Sequence, residues 1–209
     1  MRARVLVLVG LVAVSALVAF GGLGGHPGQR VLFIGDSITA FSENELEFGL
    51  RAAGWDATVE GHSGAALIQN RFIIDWHQRL EELVPQVDPD VAVVELGTND
   101  AHTSASEIAR GIDEVMAPLA TVPRVVWANV KTGFLTEEVA RVVNEELRQA
   151  TVRWPNLEVL DMAAHYHDHP EWISDGVHLN DPGKAEFGRL VIRALAAPPS
   201  RVGALSPVL

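Results

Sequence analysis

Short apolar runs alternate with longer segments of helical spacing over most of the chain, from about residue 30 onward. The runs are typical of buried β-strands, which we predict at 31–34, 55–59, 91–96, 124–129 and 157–160. Segments with apolar residues three or four positions apart predict helices at 43–53, 67–84, about 104–120, from 136 onward and 181–197. Because most of these runs are apolar rather than alternating, we expect helices to cover both faces of the sheet.

The alternation of strands and helices predicts an α/β fold, a three-layer α/β/α sandwich around a five-stranded parallel sheet of the flavodoxin-like kind. With 209 residues, 48% of them hydrophobic, the chain is long enough for one domain with a sizeable core. We place this domain at residues 29–197. The remaining residues, 198–209, contain Pro, Ser and Gly and are expected to form a flexible tail.

The first 28 residues differ from the rest of the sequence. Arg2 and Arg4 precede an uncharged apolar run at 5–20, and a Gly-rich stretch follows at 21–28. A short positive segment before an apolar run is typical of export signals, and a stretch of about 20 residues can also span a bilayer. We therefore predict a signal peptide or an N-terminal membrane anchor plus a linker at 1–28. The domain is then secreted or membrane-anchored, outside the cytoplasm.

Charge and cysteine content exclude several classes of function. The chain has 27 acidic and 16 basic residues, a net charge of −11, which argues against nucleic acid or an anionic membrane surface as the main partner. There are no cysteines, so disulfides, thiolate metal sites and a cysteine nucleophile are excluded. Composition does not indicate an oligomeric state.

Polar, Gly-containing loops follow the predicted strands. They are Gly-Asp-Ser-Ile at 35–38, Gly-His-Ser-Gly at 61–64 and Gly-Thr-Asn-Asp at 97–100, and Asp-Gly-Val-His-Leu at 175–179 precedes the last predicted helix. In open parallel sheets, ligands bind beyond the carboxyl ends of the strands. We therefore expect these four loops to converge at one edge of the sheet and to form the functional site.

Together these blocks resemble the SGNH, or GDSL-like, hydrolase family of the esterase and lipase superfamily. That family carries a Ser in GDS, a Gly, an Asn in GxND and a His in DxxH, and the matching positions here are Ser37, Gly64, Asn99 and His178. The resemblance covers roughly residues 30–195. It implies the family's fold, cleavage of esters and no cofactor.

The roles of these residues also follow from their chemistry. A serine hydroxyl becomes a good nucleophile when a base takes its proton, which makes Ser37 and His178 a candidate pair. Asp175 lies three residues before His178 and can orient the imidazole through Nδ1. The backbone N–H groups of Ser37 and Gly64 and the side-chain amide of Asn99 are candidate donors to the oxyanion of a tetrahedral intermediate.

Other readings of the same residues stay open. The GDS block can be a helix cap, Asn99 a turn residue and Asp175-Gly176 a plain turn. Ser63 is the rival nucleophile, but the fifth residue of its Gly-His-Ser-Gly-Ala block is Ala65, so the block lacks the G-x-S-x-G pattern.

Two further groups of side chains have alternative interpretations. His165, His167 and His169 form a pattern that can bind metal, but we expect an irregular, exposed or pocket-lining loop there and assign no metal site. The tryptophans at 76, 127 and 172 either line an acyl or sugar pocket or pack in the core, and packing is the usual fate of Trp.

The predicted function is a serine-dependent carboxylic ester hydrolase that acts through an acyl-enzyme on a small-molecule or glycan ester. The run at 169–179 resembles the last block of SGNH domains attached to bacterial cell-surface O-acyltransferases, which implies O-acetyl groups of cell-surface glycans as substrate. One alternative is an extracytoplasmic O-acyltransferase of the same fold, although the sequence lacks the multi-helix membrane domain of those proteins. Another is a non-catalytic surface binding module, which would not need all four site residues.

Overall fold

A computed structural model describes residues 28–68, 71–101, 103–131 and 137–199. All but the last residue of the predicted signal or anchor segment and linker (1–28), and most of the predicted tail (198–209), lie outside the described residues, so both stay predictions. Within the described residues, no helix is long and apolar enough to cross a membrane.

Across the described ranges, five strands form one sheet, and every pair of neighbours is parallel. The strands are β1 (Arg30–Gly35), β2 (Asp56–Gly61), β3 (Val91–Glu95), β4 (Arg124–Ala128) and β5 (Leu157–Leu160). Their spatial order, β2-β1-β3-β4-β5, is the flavodoxin-like order. The predicted sheet is therefore confirmed, with strand ends that shift by one or two residues.

In the part of the chain that the structure describes, seven α-helices surround the sheet, and one 3₁₀ turn lies at Pro170–Trp172. The helices are α1 (Ser37–Ala40), α2 (Glu43–Ala52), α3 (Trp76–Val87), α4 (Ala105–Met116), α5 (Glu137–Arg153), α6 (Met162–His167) and α7 (Asp181–Ala196). Side chains of β1 alternate between two cores. Leu32 and Ile34 pack with residues of α3, α4 and α5. Val31 and Phe33 pack with residues of α2, α6 and α7 on the other face, which confirms the three layers.

The helix predicted at 67–84 is shorter at its start than the apolar spacing indicated. It begins at Trp76, capped by the Asp75 side chain, and it runs through Pro85 to Val87. The backbone N–H groups of Leu67 and Ile68 donate to the carboxylate of Asp100 at 2.8 and 2.9 Å, which holds this stretch as a loop. A contact with a residue distant in sequence therefore overrides the local spacing.

The segment predicted as an irregular loop around the three histidines is partly helical. Helix α6 spans Met162–His167, capped by the Asp161 side chain. The His165 ring lies 3.1 Å from a carboxylate oxygen of Glu186, and the His169 ring stacks on Trp172 at 3.8 Å between centroids. Among the described residues, no group of three or more histidine and carboxylate side chains has the arrangement of a metal site.

The three tryptophans with two interpretations divide between core and surface. Trp76 and Trp127 are buried in the core, and the Trp127 indole N–H donates to the Leu96 carbonyl oxygen at 3.2 Å. Trp172 is half-buried. Of the three, only Trp172 therefore lies outside the fully buried core.

Candidate active site

Ser37 lies where β1 ends, and β1 is the strand at which the strand order changes direction. Crevices at such switch points bind ligands in open α/β sheets. The Asp36 side chain caps α1 by accepting the Ile38 N–H at 2.9 Å, which fixes the turn that carries Ser37. A Cβ atom at Gly35 would clash with Thr39 and lie 2.9 Å from the Glu95 carbonyl oxygen, so only glycine permits this close packing. Ser37 is 5% exposed.

A short hairpin between the 3₁₀ turn and α7 carries Asp175 and His178. An antiparallel bridge joins Ile173 to Leu179, and the Ser174 N–H donates to the His178 carbonyl oxygen at 2.8 Å. The Asp175 Oδ1 atom accepts the backbone N–H groups of Val177 and His178 at 3.0 and 2.8 Å. Asp175 therefore shapes the loop as well as contacting the imidazole.

A continuous chain of hydrogen bonds joins the three residues predicted to be catalytic. The His178 Nε2 atom lies 3.0 Å from Ser37 Oγ, and His178 Nδ1 lies 2.7 Å from Asp175 Oδ2. Both distances fall within the range that proton transfer to a positioned base requires. The structure thus brings together a hydroxyl, an imidazole and a carboxylate from opposite ends of the chain.

The Asp175 carboxylate is half-exposed, but its hydrogen bonds keep it ionised. The bond from His178 and the two backbone N–H groups hold the pKa of the Asp175 carboxyl well below its usual range. A fixed negative charge at Nδ1 favours the tautomer in which Nε2 accepts a proton and stabilises the imidazolium that forms.

The rival nucleophile Ser63 has a different environment. Ser63 is exposed in the turn after β2. The adjacent His62 ring lies 3.1 Å from a Glu60 carboxylate oxygen and packs against Trp76 at 5.5 Å between centroids. The imidazole of His62 is thus held towards β2, whereas that of His178 is held on Ser37.

Gly64 and Asn99 lie on the loops after β2 and β3. Gly64 has a positive φ of 80°, which suits glycine. The Asn99 amide nitrogen donates to the Ala65 carbonyl oxygen at 2.9 Å and lies 3.3 Å from Asp36 Oδ2. The amide therefore links the loop after β2 to the turn before Ser37. The Ser37 N–H lies in the first turn of α1, where a helix offers no internal acceptor.

Two buried acidic residues under Ser37 were missed from the sequence. Asp36 and Glu95 are at most 1% exposed, their carboxyl groups are hydrogen-bonding partners, and the Thr39 hydroxyl donates to Glu95 at 3.0 Å. Burial raises the pKa of Asp36 to about 6. Burial, with the neighbouring Asp36 carboxylate, raises the pKa of Glu95 well above its usual range. Both shifts favour a proton shared between the two carboxyl groups. The sequence signal for this pair is the charge of Glu95 at the end of the otherwise apolar strand β3.

Replacing Glu95 with Gln is expected to make folding stability less sensitive to pH. An acid with a raised pKa in the folded state favours folding at low pH, and that contribution is lost as the pH rises through the folded pKa. The Gln side chain can still donate to Asp36 and accept from Thr39 but has no proton to lose. Above about pH 5, the stability of Glu95→Gln relative to the original protein should rise with pH, by about 1.4 kcal/mol for each unit by which folding raises the Glu95 pKa.

Urea unfolding at several pH values measures this difference. Glu43→Gln is the matched control, because Glu43 is an exposed carboxyl in the first turn of α2. Equal pH slopes for Glu95→Gln and the original protein would show that the buried pair does not hold a proton in the folded state.

The fold and this site define an α/β protein with a hydroxyl–imidazole–carboxylate chain at the switch point of its sheet. The chain belongs to the GDSL-like lipase/acylhydrolase family, whose model matches residues 33–185. The protein is therefore an ester-hydrolysing enzyme of this family. A comparison with curated protein sequences gives no significant match.

Several solved structures have the same fold. An α/β hydrolase enzyme from the metagenome of Lake Arreo, Spain, is 20% identical with a TM-score of 0.63, over 80% of this chain and 95% of that chain. The family 3 carbohydrate esterase of Clostridium thermocellum is 20% identical with a TM-score of 0.60, over 81% and 100%. The C-terminal catalytic domain of Streptococcus pneumoniae peptidoglycan O-acetyltransferase A is 16% identical with a TM-score of 0.61, over 81% and 93%. At these identities, the likeness concerns the fold.

Proposed function

We propose that this protein is an extracytoplasmic serine esterase that removes acetyl groups from glycans through an acyl-enzyme on Ser37. The observation that carries this function is the chain of hydrogen bonds from Ser37 Oγ through the His178 imidazole to Asp175, at 3.0 and 2.7 Å. The N-terminal sequence pattern supports the location outside the cytoplasm. A non-catalytic binding module would have no need of these hydrogen bonds between Ser37, His178 and Asp175.

The geometry supports a two-step reaction. Ser37 Oγ bonds to the ester carbonyl carbon while His178 Nε2 takes the hydroxyl proton. The intermediate then collapses, the bond to the alcohol oxygen breaks, and His178 returns the proton to that oxygen. Water then attacks the acyl carbon of the acyl-enzyme while His178 takes one of its protons. As the bond to Ser37 Oγ breaks, His178 returns the proton to that oxygen. The products are a carboxylic acid and a free Ser37.

The negative oxygen of each intermediate needs hydrogen-bond donors in fixed positions. In our proposal these are the backbone N–H groups of Ser37 and Gly64 and the amide of Asn99. The bond to the Ala65 carbonyl oxygen orients the Asn99 amide, while the 3.3 Å contact with Asp36 is long for an N–H···O bond. The N–H that faces Asp36 is the one we expect to turn to the oxyanion.

Asn99→Ala is expected to lower kcat by about 10²–10³-fold with little change in KM, because the oxyanion forms only in the transition state. Steady-state kinetics with p-nitrophenyl acetate measure both constants. Asn129→Ala is the matched control, since Asn129 follows the neighbouring strand β4 and contacts Asp161 instead. A rise in KM at constant kcat would make Asn99 a contact to the bound substrate, not an oxyanion donor.

Acetylated glycans are the proposed substrates for two reasons. The block at 169–179 resembles that of SGNH domains on cell-surface O-acyltransferases, and structures of the same fold include a carbohydrate esterase and a peptidoglycan O-acetyltransferase. Hydrolysis and transfer share one acyl-enzyme, and they differ in whether water or a sugar hydroxyl attacks it.

Product partitioning separates these two activities. The purified protein is given p-nitrophenyl acetate with and without cell-wall oligosaccharides, and free acetate and acetylated sugar are quantified. We expect acetate to predominate at about millimolar acceptor, and O-acetylated oligosaccharide to be cleaved. Acetylated sugar as the main product would assign the protein to the transferases.

A further inference from the structure

Phe41 lies beside the imidazole of His178. It follows Ser37 by four residues, and its N–H donates to the Ser37 carbonyl oxygen at 2.9 Å. The ring centroids of Phe41 and His178 are 5.1 Å apart, and half of Phe41 is exposed. Single exposed apolar residues are common on protein surfaces. Phe41 differs from such residues because its ring is held against the group that exchanges protons with the substrate.

Ile73 lies over the opposite loop of the site. It belongs to the turn before α3, and it is 38% exposed. A Cβ atom at Gly64 would lie 3.0 Å from Cδ1 of Ile73. The Ile73 side chain therefore covers Gly64, one of the proposed oxyanion donors, and restricts the space beside it.

The chemistry of the tetrahedral intermediate places different substituents beside Phe41 and Ile73. Its carbon carries the Ser37 oxygen, the oxyanion, the alcohol oxygen and the acyl substituent. The alcohol oxygen must face His178 Nε2, which protonates it, and the oxyanion must face the N–H donors. A side chain packed on the His178 ring therefore borders the alcohol, whereas one that covers Gly64 borders the oxyanion and the acyl group next to it.

We propose that Phe41 forms the alcohol subsite, where it takes the C–H face of a pyranose ring, and that Ile73 closes the acyl subsite to groups larger than acetyl. This assignment rests on the proposed esterase function and adds the residues that set its specificity. An aromatic ring offers an apolar flat surface to the alcohol without fixing its hydroxyl pattern. Space limited by one branched side chain discriminates against each added methylene.

Two substrate series test the two subsites separately in the full protein. With an O-acetylated pyranoside, Phe41→Ala should lower kcat/KM by about 5–10-fold. The kcat/KM for ethyl acetate should change by less than about twofold, because the ethyl group is too small to contact the Phe41 ring. With p-nitrophenyl esters, Ile73→Ala should raise the butyrate-to-acetate ratio of kcat/KM by about tenfold or more. Phe48→Ala and Val152→Ala are matched controls, because both side chains are 77% exposed on α2 and α5.

Deacylation provides a second readout. Once the alcohol has left, Phe41→Ala should hydrolyse the acetyl-enzyme at the original rate. The lower activity of this variant towards the pyranoside should therefore come from the acylation step alone. An equal loss for ethyl acetate and the pyranoside, or an unchanged butyrate-to-acetate ratio in Ile73→Ala, would overturn the assignment while leaving the esterase function intact. If the original protein cleaves none of these esters, the proposed function itself fails.

Discussion

Ser37→Ala is expected to reduce ester hydrolysis by about 10⁴-fold or more, and the remaining activity comes from substrate binding and the oxyanion donors. The reason is that Ser37 Oγ is the atom held 3.0 Å from His178 Nε2, and removing it leaves no nucleophile for the base to activate. Initial rates with p-nitrophenyl acetate measure the loss, and circular dichroism checks that the variant is folded.

Ser63→Ala is the matched control for this prediction. Ser63 is also a serine after a strand on the same side of the sheet, but it is exposed and its neighbour His62 contacts Glu60. We expect Ser63→Ala to keep nearly all activity. An active Ser37→Ala with an inactive Ser63→Ala would move the nucleophile to the loop after β2.

His178→Ala is expected to lower activity about as much as Ser37→Ala does. The loss of activity in Asp175→Asn should be about one to two orders of magnitude smaller. The base survives in Asp175→Asn, where only its orienting partner changes. Asparagine is the informative replacement, because its side-chain oxygen can still accept the Val177 and His178 N–H groups that shape the loop. Its amide would then face Nδ1 and favour the wrong tautomer.

Kinetics of the two variants, together with their thermal unfolding, test this order. The proposed roles predict that the two variants have similar melting temperatures and that His178→Ala has the lower activity. If Asp175→Asn lost as much activity as His178→Ala without unfolding, Asp175 would have a direct part in proton transfer.

The centre of the sheet could be predicted from the sequence because β1, β3 and β4 are largely apolar runs, which indicates burial on both faces. The outer strands β2 and β5 alternate instead, since each has one partly exposed face. The helices were less predictable. The apolar spacing at 67–84 overlaps a stretch whose backbone binds the Asp100 carboxylate, a contact that no local pattern encodes. Helices α1 and α6 have four and six residues, too few for a helical period to appear.

The predicted catalytic residues lie on short blocks, and the structure brings Ser37, Asp175 and His178 into one hydrogen-bonded chain. Their surroundings could not be predicted in the same way. Phe41 and Ile73 belong to no motif, and their importance depends on which side chains they touch. In the sequence, Glu95 is only a charge at the end of an apolar strand, and its partner Asp36 belongs to the GDS block, so neither pattern indicates a buried acidic pair.

Direct detection of the acyl-enzyme tests the central role of Ser37. The protein is mixed with p-nitrophenyl acetate, quenched in acid within the first turnover, digested and analysed by mass spectrometry. We predict one acetyl group on the peptide that contains Ser37, a burst of p-nitrophenol of about one equivalent if deacylation limits turnover, and no acetylation of that peptide in Ser37→Ala. An acetyl group on Ser63, or undiminished ester hydrolysis by Ser37→Ala, would contradict the role of Ser37.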